Sequence, residues 1–275
     1  MTYLDDLFGV TGKTALVTGG ASGIGRMIAT CLVCGGARVM IASRKAEECK
    51  RAGSEIAEFA GVSADRIEGF GGDVASETGL AALVAEVRKR TDRLHILVNN
   101  AGISWGEPLN SFPHAAWAKV MGVNVAGLFT LTRDLLPLLD RAASDADPAR
   151  VINLGSVMGT QPFADGAYSY SASKAAVHHL TKILANELAA RRITVNALAP
   201  GPFQSRMTAF AIGSREKAER VGQGVPLGRI GLPSDIAGAT LYLCSKAGAY
   251  VTGAVLPIDG GMSVENANTL FKDVS

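Results

Sequence analysis

The feature that most constrains the fold is a glycine-rich turn between an apolar run and a helical pattern. The run KTALVT at residues 13–18 predicts a strand, and the helical pattern follows over residues 26–35. Glycines at such a junction leave backbone N–H groups open at a helix N-terminus, where the helix dipole favours an anion. The turn can be purely structural, but its position after the first strand indicates a dinucleotide pyrophosphate site. The residues assigned to that site are Gly19, Ser22, Gly23, Ile24 and Gly25.

Strand-like and helical segments alternate along the rest of the chain. The alternation predicts an α/β fold in which a doubly wound, Rossmann-type parallel sheet carries helices on both faces. No linker or composition break divides the sequence, so we interpret residues 1–275 as one domain with a core at about 10–263. The later strands are predicted at 37–42, 67–71, 94–98, 151–154, 193–197 and 254–258, and the helices at 45–60, 77–91, 113–139 with a bend near 122–127, 170–190 and 233–245.

Composition excludes several classes of function. The chain has 275 residues, 48% of them hydrophobic, and a formal net charge of +2, so it lacks the basic footprint of a nucleic-acid or membrane-surface protein. The longest uncharged run, 151–164, is short of the roughly 20 apolar residues that span a bilayer. The acidic N-terminus does not resemble a signal peptide, and the four cysteines show no disulfide framework. The Cys31–Cys34 pair has the spacing of a redox or metal site, but it falls within a helix with no second pair or nearby histidine, so core thiols are predicted. We therefore expect a cytoplasmic protein without a metal.

The end of the second strand indicates which nucleotide is bound. NAD sites normally have Asp or Glu there, about 20 residues beyond the glycines, to accept from the ribose 2′-hydroxyl. This chain has Ser43 and Arg44 instead. A guanidinium can bind a 2′-phosphate in bidentate fashion, although an arginine at a helix start is often only solvated. The pair favours NADPH over NADH.

The stretch from Val151 to Lys174 has the pattern of a catalytic site. A short apolar strand leads to Ser156, and a helix after the next loop carries Tyr170 and Lys174. Residues four apart lie on one face of a helix, so the phenol and the ammonium can meet at one point. A cation near a phenol lowers its pKa from about 10, which suits a general acid. The Ser156 hydroxyl can reach the same point from the end of its strand.

Together these motifs resemble the short-chain dehydrogenase/reductase family over residues 10–263. The resemblance rests on the glycine turn after Thr18, Asn99-Asn100-Ala101-Gly102, Asn124, Ser156, Tyr170-x-x-x-Lys174 and Pro200-Gly201. More narrowly, the segments 104–106, 148–153 and 202–208 resemble the rhamnolipid-type 3-oxoacyl-(acyl-carrier-protein) reductases.

The resemblance implies a role for each catalytic residue. Tyr170 would protonate the carbonyl oxygen as hydride arrives from NADPH, and Ser156 would hydrogen-bond that oxygen. Lys174 would bind the nicotinamide ribose and keep Tyr170 acidic. Asn124 would anchor a water that connects Lys174 to solvent. The resemblance also implies a homotetramer.

The resemblance further assigns the remaining cofactor contacts. The adenine would contact the carboxylate of Asp73 and the backbone of Val74. The adenine ribose would lie on the turn Asn100, Ala101 and Gly102. The carboxamide would be held by the loop after the sixth strand, through Pro200, Gly201, Phe203 and Ser205.

Five features depart from the family pattern or lie outside it. Ser156 and Tyr170 are one position farther apart than is commonest, and segment 141–150 is long, which predicts a surface excursion. Ser205 and Phe203 replace a threonine and a small aliphatic residue. His178 and His179 lack other metal ligands nearby, so a surface or subunit-interface role is predicted. Arg191 and Arg192 suit a helix C-terminus and could also meet an acidic carrier protein.

The substrate contacts are predicted from large apolar residues near the catalytic segment. If these side chains point inward, the pocket suits an acyl chain or a ring, and if they pack under a lid, they are uninformative about specificity. We expect a 3-oxoacyl thioester on acyl carrier protein or coenzyme A. The alternatives are another carbonyl (a diketone, sugar, steroid or xenobiotic) and a non-catalytic nucleotide sensor. The predicted contacts are Trp105, Met158, Phe163, Met207 and Phe210, with Phe203 beside them.

Overall fold

The computed structural model describes residues 2–163, 166–205 and 207–264, apart from the side chains of Phe210 and Ala211. Its centre is one parallel sheet, with successive strands in the spatial order 3-2-1-4-5-6-7. The order reverses between the first and fourth strands, and at such a switch point an α/β sheet opens a crevice at the strand carboxyl ends. The strands are β1 (Thr14–Thr18), β2 (Arg38–Ser43), β3 (Ile67–Gly71), β4 (Ile96–Asn99), β5 (Ala149–Leu154), β6 (Ile193–Pro200) and β7 (Val255–Ile258).

Helices cover both faces of the sheet, which confirms the predicted doubly wound fold. In β1, Ala15 and Val17 pack in one apolar core with the helices at 23–34, 46–60 and 233–244, while Leu16 packs in the other core with the helices at 77–90, 128–142 and 168–188. This alternation explains why the strands read as continuous apolar runs. The helices are α1 (Tyr3–Phe8), α2 (Gly23–Cys34), α3 (Ala46–Ala60), α4 (Glu77–Arg90), α5 (His114–Met121), α6 (Leu128–Ala142), α7 (Tyr168–Leu188), α8 (Ala209–Ile212), α9 (Arg215–Gln223) and α10 (Pro233–Cys244).

The bend predicted near residues 122–127 is a π-helical segment, Gly122–Gly127, that joins α5 to α6. Such segments often occur at functional sites, and this one carries Asn124. By length and composition, the continuous helix His114–Ala142 could cross a membrane. That is weak evidence, because core helices of soluble proteins meet the same criterion, and Leu131 and Leu135 of this helix lie in the core.

The predicted excursion at 141–150 is shorter than expected. Helix α6 continues to Ala142 and β5 begins at Ala149. Between them, Asp147 pairs with Lys13, and its Oδ1 lies 3.1 Å from Nη2 of the fully buried Arg150. The connection is therefore tied to the sheet.

Arg191 and Arg192, which were considered for carrier docking, pair with carboxylates near the connection between α6 and β5. The Arg191 Nε donates to Asp140 Oδ1 at 2.9 Å, and Arg192 pairs with Asp145. All four side chains are at least partly exposed, so these pairs contribute little to stability.

Candidate active site

The glycine turn approaches its neighbours so closely that side chains are excluded. Gly19 and Gly23 have φ angles of +68° and +54°, which favour glycine. A Cβ on Gly25 would lie 2.3 Å from Asn100 Nδ2 and 2.5 Å from the Gly19 carbonyl oxygen. The Ser22 side chain makes no capping hydrogen bond to α2. The start of this 12-residue helix therefore has the backbone geometry that a pyrophosphate needs.

Thr18 joins this turn to the end of β4. Its Oγ1 accepts hydrogen bonds from the Asn100 N–H at 3.1 Å and the Ala101 N–H at 3.0 Å. The Asn100 side chain donates in return to the Thr18 carbonyl oxygen at 2.8 Å. The sequence had not assigned Thr18 a contact, although a hydroxyl residue directly before the glycines was a visible signal. These bonds fix the two strand ends on either side of the crevice.

We expect Gly25→Ala to weaken NADPH binding about tenfold or more, because a close backbone approach to the pyrophosphate would be displaced. The added Cβ must push Asn100 or Gly19 away. The measurement is the NADPH dissociation constant by fluorescence titration. Gly238→Ala in α10 is the matched control, because a Cβ there meets nothing within 4 Å. Equal affinity in both variants would contradict the assignment of this turn.

Lys174 lies deep in the crevice and connects three elements. Its Nζ donates to the Leu154 carbonyl oxygen at the end of β5, at 2.6 Å. A Cβ on Gly102 would lie 3.7 Å from that Nζ and 3.2 Å from Asn124 Oδ1. Burial lowers the pKa of Lys174 to about 8. The lysine therefore sits beside the turn predicted to hold the adenine ribose.

The Asn124 side chain is fully engaged with the protein. Its Oδ1 accepts from the Ile103 N–H at 2.9 Å, and its Nδ2 donates to the Ile103 carbonyl at 3.0 Å and to Ser173 Oγ at 2.9 Å. The amide thus ties the π-helical segment to the β4 loop and to α7. Both N–H groups of the amide are therefore used, and a water here would have to be bound through acceptor atoms.

Ser156 and Tyr170 interact although the loop between them is one residue longer than usual. The Ser156 side chain hydrogen-bonds the Tyr170 phenol, and Ser156 Oγ also accepts from the Met158 N–H at 3.2 Å. Ser156 directly precedes a 3₁₀ turn, Val157–Gly159. The Lys174 Nζ lies 5.5 Å from the centre of the Tyr170 ring.

The predicted lowering of the Tyr170 pKa is wrong. Burial raises the pKa of Tyr170, and the Ser156 hydrogen bond only opposes that rise. The Lys174 Nζ, which lies 5.5 Å from the ring centre, donates its hydrogen bond to the Leu154 carbonyl oxygen. A raised pKa keeps the phenol protonated near neutral pH, and this is the state that can donate a proton to a carbonyl.

The end of β2 presents a free cation. Arg44 is exposed, and it has no hydrogen-bonding or ionic partner in the part of the chain that the structure describes. The Ser43 hydroxyl faces the start of α3, where it accepts from the Lys45 N–H at 3.2 Å and lies 3.0 Å from Cys49 Sγ. Asp73 Oδ1 accepts from the Ala75 N–H at 3.0 Å. The other carboxylate oxygen, Oδ2, has no hydrogen-bond partner in the described chain.

Two glycines allow further close approaches around the cofactor crevice. A Cβ on Gly127 in the π-helical segment would lie 2.3 Å from the Val74 carbonyl oxygen. A Cβ on Gly201, just beyond β6, would lie 2.9 Å from the Asp259 Cα.

The loop after β6 reaches back to the glycine turn. A Cβ on Gly23 would lie 2.9 Å from the Ser205 Cβ. Thr208, which the sequence did not single out, accepts from the Ser205 N–H at 3.0 Å and donates to the Phe203 carbonyl at 2.7 Å. The expectation that the Phe203 side chain flanks the substrate is wrong. Phe203 is 2% exposed, and it belongs to the same apolar core as Ala15 and Val17. Its ring packs on Gly231, where the absence of a side chain leaves space.

The other predicted substrate contacts differ in how exposed their side chains are. Trp105 is 36% exposed and lies under the Lys119 Nζ at 5.6 Å, and Met207 is 40% exposed. Met158 and Phe163 are half-buried on the loop after Ser156. The side chain of Phe210 lies outside the described residues.

The surface role predicted for His178 is also wrong, whereas His179 is exposed as expected. His178 is 8% exposed because it lies one turn beyond Lys174 on the inner face of α7. Its Nε2 lies 3.4 Å from the Ser156 nitrogen.

Comparison with known proteins decides the family. A sequence profile described as enoyl-(acyl carrier protein) reductase matches residues 19–263. The rhamnolipids biosynthesis 3-oxoacyl-[acyl-carrier-protein] reductase of Pseudomonas aeruginosa is 45% identical, over 92% of this chain and 97% of that protein. The chain belongs to the short-chain dehydrogenase/reductase family. It is therefore an oxidoreductase, as the motifs predict.

Other members of the family are similar in sequence and in structure. The RhlG/NADP active-site complex of Pseudomonas aeruginosa matches with a TM-score of 0.89 and 44% identity, covering 94% of this chain and 99% of that chain. Galactitol 2-dehydrogenase (L-tagatose-forming) of Cereibacter sphaeroides is 40% identical over 94% of this chain and 98% of that protein. The family thus contains both thioester and polyol enzymes at comparable similarity.

Proposed function

We propose that this chain is an NADPH-dependent reductase that converts the ketone of a 3-oxoacyl thioester to a secondary alcohol. The thioester class is supported by the 45% identical relative, whose name specifies a 3-oxoacyl group on acyl carrier protein. NADPH is supported by the free Arg44 at the end of β2 and by the NADP in the similar RhlG complex.

The observation that carries the proposal is the position of the buried Lys174. It lies 5.5 Å from the Tyr170 ring centre, bonds the end of β5 and borders the Gly102 turn. Burying an ammonium costs solvation free energy, so a buried lysine is usually retained because a function requires it. A nucleotide sensor would have no need of this lysine beside a Ser156–Tyr170 pair.

Each residue has a distinct task in the proposed reaction. Bound NADPH supplies the hydride. Tyr170 gives its phenolic proton to the carbonyl oxygen, and Ser156 stabilises the charge that develops on that oxygen. Lys174 would bind the nicotinamide ribose hydroxyls and would return a proton to Tyr170 through a water held at the Asn124 segment.

The remaining cofactor contacts follow the crevice around the sheet edge. The glycine turn would hold the pyrophosphate, and Arg44 would bind the 2′-phosphate. Asp73, Val74 and the turn Asn100–Gly102 would hold the adenine and its ribose, and the backbone of 200–203 and Ser205 would hold the carboxamide.

We further propose that residues 1–275 form one domain and that the protein is a cytoplasmic homotetramer. Ile183 on α7 is 48% exposed, and Tyr250 before β7 is fully exposed, so both elements offer apolar surface to another copy. Light scattering coupled to gel filtration measures the mass. A monomer at micromolar concentration would contradict the oligomer.

The substrate is tested by following NADPH absorbance with a panel of carbonyl compounds. The panel compares a medium-chain 3-oxoacyl thioester with a small diketone, a keto-sugar and a cyclic ketone. A preference for the thioester in kcat/KM supports the proposal. Turnover of the sugar alone would instead favour the polyol activity of the 40% identical relative.

We expect kcat/KM to decline as pH rises through the pKa of Lys174, which burial lowers to about 8. The ammonium is charged below that pH and neutral above it, and only the charged form can hold the ribose and return the proton. In kcat/KM the profile reports groups of the free enzyme. The measurement spans about pH 6 to 10. The same decline in Lys174→Arg, whose guanidinium stays charged, would show that another group titrates.

A further inference from the structure

His178 is a buried imidazole in direct contact with the turn that carries Ser156. Its Nε2 lies 3.4 Å from the Ser156 nitrogen, and its Nδ1 lies 3.4 Å from Thr160 Oγ1. The ring therefore bridges the first and last residues of the turn after β5. Neither the glycine turn nor the catalytic pattern accounts for a histidine at this position.

The turn is shaped around this ring by two glycines. A Cβ on Gly155 would lie 2.2 Å from His178 Nε2, and a Cβ on Gly159 would lie 2.7 Å from His178 Cε1. Any other residue at either position would collide with the imidazole. The motif Gly155-Ser156-Val157-Met158-Gly159 thus encloses Ser156 between two positions that allow the ring to approach.

The contacts determine where the imidazole carries its proton. Because the Ser156 N–H points at Nε2, that nitrogen must accept, and the single proton of a neutral ring lies on Nδ1. Nδ1–H can then donate to the Thr160 hydroxyl. Burial lowers the pKa of His178 to about 4, and the two cations that face the ring, Lys174 and Lys182, lower it in the same direction.

We infer that His178 is a positioning residue: its neutral imidazole accepts the Ser156 N–H and thereby holds the Ser156 hydroxyl on Tyr170. The inference rests on the proposed function, because it concerns how Ser156 serves that reaction. It does not require the ring to touch the substrate.

Loss of the acceptor would have two consequences. The Ser156 N–H would be buried without a partner, so the turn would shift to solvate it. The Ser156 hydroxyl would then bond Tyr170 less well, and the hydrogen bond that opposes the rise in the Tyr170 pKa would weaken. Carbonyl reduction should slow, and alcohol oxidation, which needs the phenolate, should require a higher pH.

The decisive variant is His178→Leu, which keeps the bulk of the ring but removes the acceptor. We expect kcat for carbonyl reduction to fall about tenfold, the size of one misaligned hydrogen bond at the reacting oxygen, with NADPH affinity unchanged. His178→Gln, whose amide oxygen can accept from Ser156, should recover most of the loss. His179→Leu is the matched control on the exposed side of α7 and should behave as the wild type.

A double-mutant cycle with Ser156→Ala separates positioning from a general structural effect. If His178 acts through Ser156, His178→Leu should cost little more in the Ser156→Ala background. Full additivity would overturn the inference, as would equal losses in His178→Leu and His178→Gln.

An imidazole ¹⁵N NMR spectrum of the wild-type protein gives a readout that does not depend on turnover. At about pH 6, where an ordinary histidine is largely protonated, we expect a neutral ring with its proton on Nδ1. A charged ring, or a proton on Nε2, would contradict the inference even if the enzyme reduces ketones. If the wild type reduces no ketone while the ring is neutral as expected, the proposed function fails and the Ser156–His178 contact stands.

Discussion

Tyr170→Phe should reduce kcat for carbonyl reduction by about a thousandfold or more, the contribution of a positioned general acid. The phenylalanine ring keeps the bulk that fills the site and removes only the proton donor. Ser156 is unchanged in this variant and can still hydrogen-bond the carbonyl oxygen. Any residual turnover therefore measures hydride transfer to a correctly oriented substrate without a general acid. NADPH binding should be retained, because the glycine turn and Lys174 are unchanged. The rate is measured by NADPH absorbance at saturating substrate.

Tyr168→Phe is the matched control for this prediction. Tyr168 lies at the start of the same helix, and its ring packs edge-on against Phe112 with centroids 5.2 Å apart. Position 172 is alanine, so Tyr168 has no lysine four residues later. We expect this variant to reduce substrate at the wild-type rate. If Tyr170→Phe is as active as Tyr168→Phe, then Tyr170 is not the acid.

The direction of the Tyr170 pKa has a consequence for which reaction the enzyme favours. Burial raises the pKa of Tyr170 and so favours the protonated phenol, which suits reduction. Oxidation of an alcohol needs the phenolate, and the positive charge of the oxidised nicotinamide would help to form it. We therefore expect the oxidative reaction to have the more alkaline optimum of the two.

The fold was predictable because its signals are local in sequence. Parallel strands buried on both faces give continuous apolar runs, and the predicted third strand, 67–71, matches β3 at both ends. The sixth strand was predicted to end at residue 197 but continues to Pro200, because pairing with β7 extends it. Strand ends depend on such partners, which are distant in the sequence.

The errors concern burial and orientation, which no local pattern encodes. Whether the Lys174 charge reaches the Tyr170 phenol depends on the solvent that surrounds both groups and on the Leu154 carbonyl. His178 and His179 are adjacent in sequence, but only one of them faces the sheet. Phe203 could have turned toward the substrate, and it is the space above Gly231 that directs it into the core.

Arg44→Ala should weaken NADPH binding about thirtyfold while changing NADH binding little, which is the range for a charge-assisted hydrogen bond pair to a phosphate. Arg44 is free of protein partners in the described chain, so its removal breaks no internal contact that would complicate the result. No carboxylate follows β2 directly to repel the 2′-phosphate or to accept from a ribose hydroxyl. The measurement is the ratio of kcat/KM for the two cofactors.

Arg51→Ala on α3 is the control for net charge, since it removes one exposed cation whose nearest carboxylate is 3.6 Å away. It should leave the cofactor ratio unchanged. Adenosine 2′,5′-bisphosphate tests the contact directly: it should compete with NADPH for the wild type and poorly for Arg44→Ala. Because Arg44 is exposed, the preference for NADPH should also shrink as salt is raised. If kcat/KM falls equally for NADPH and NADH in Arg44→Ala, then the arginine stabilises the end of β2 and other residues bind the 2′-phosphate.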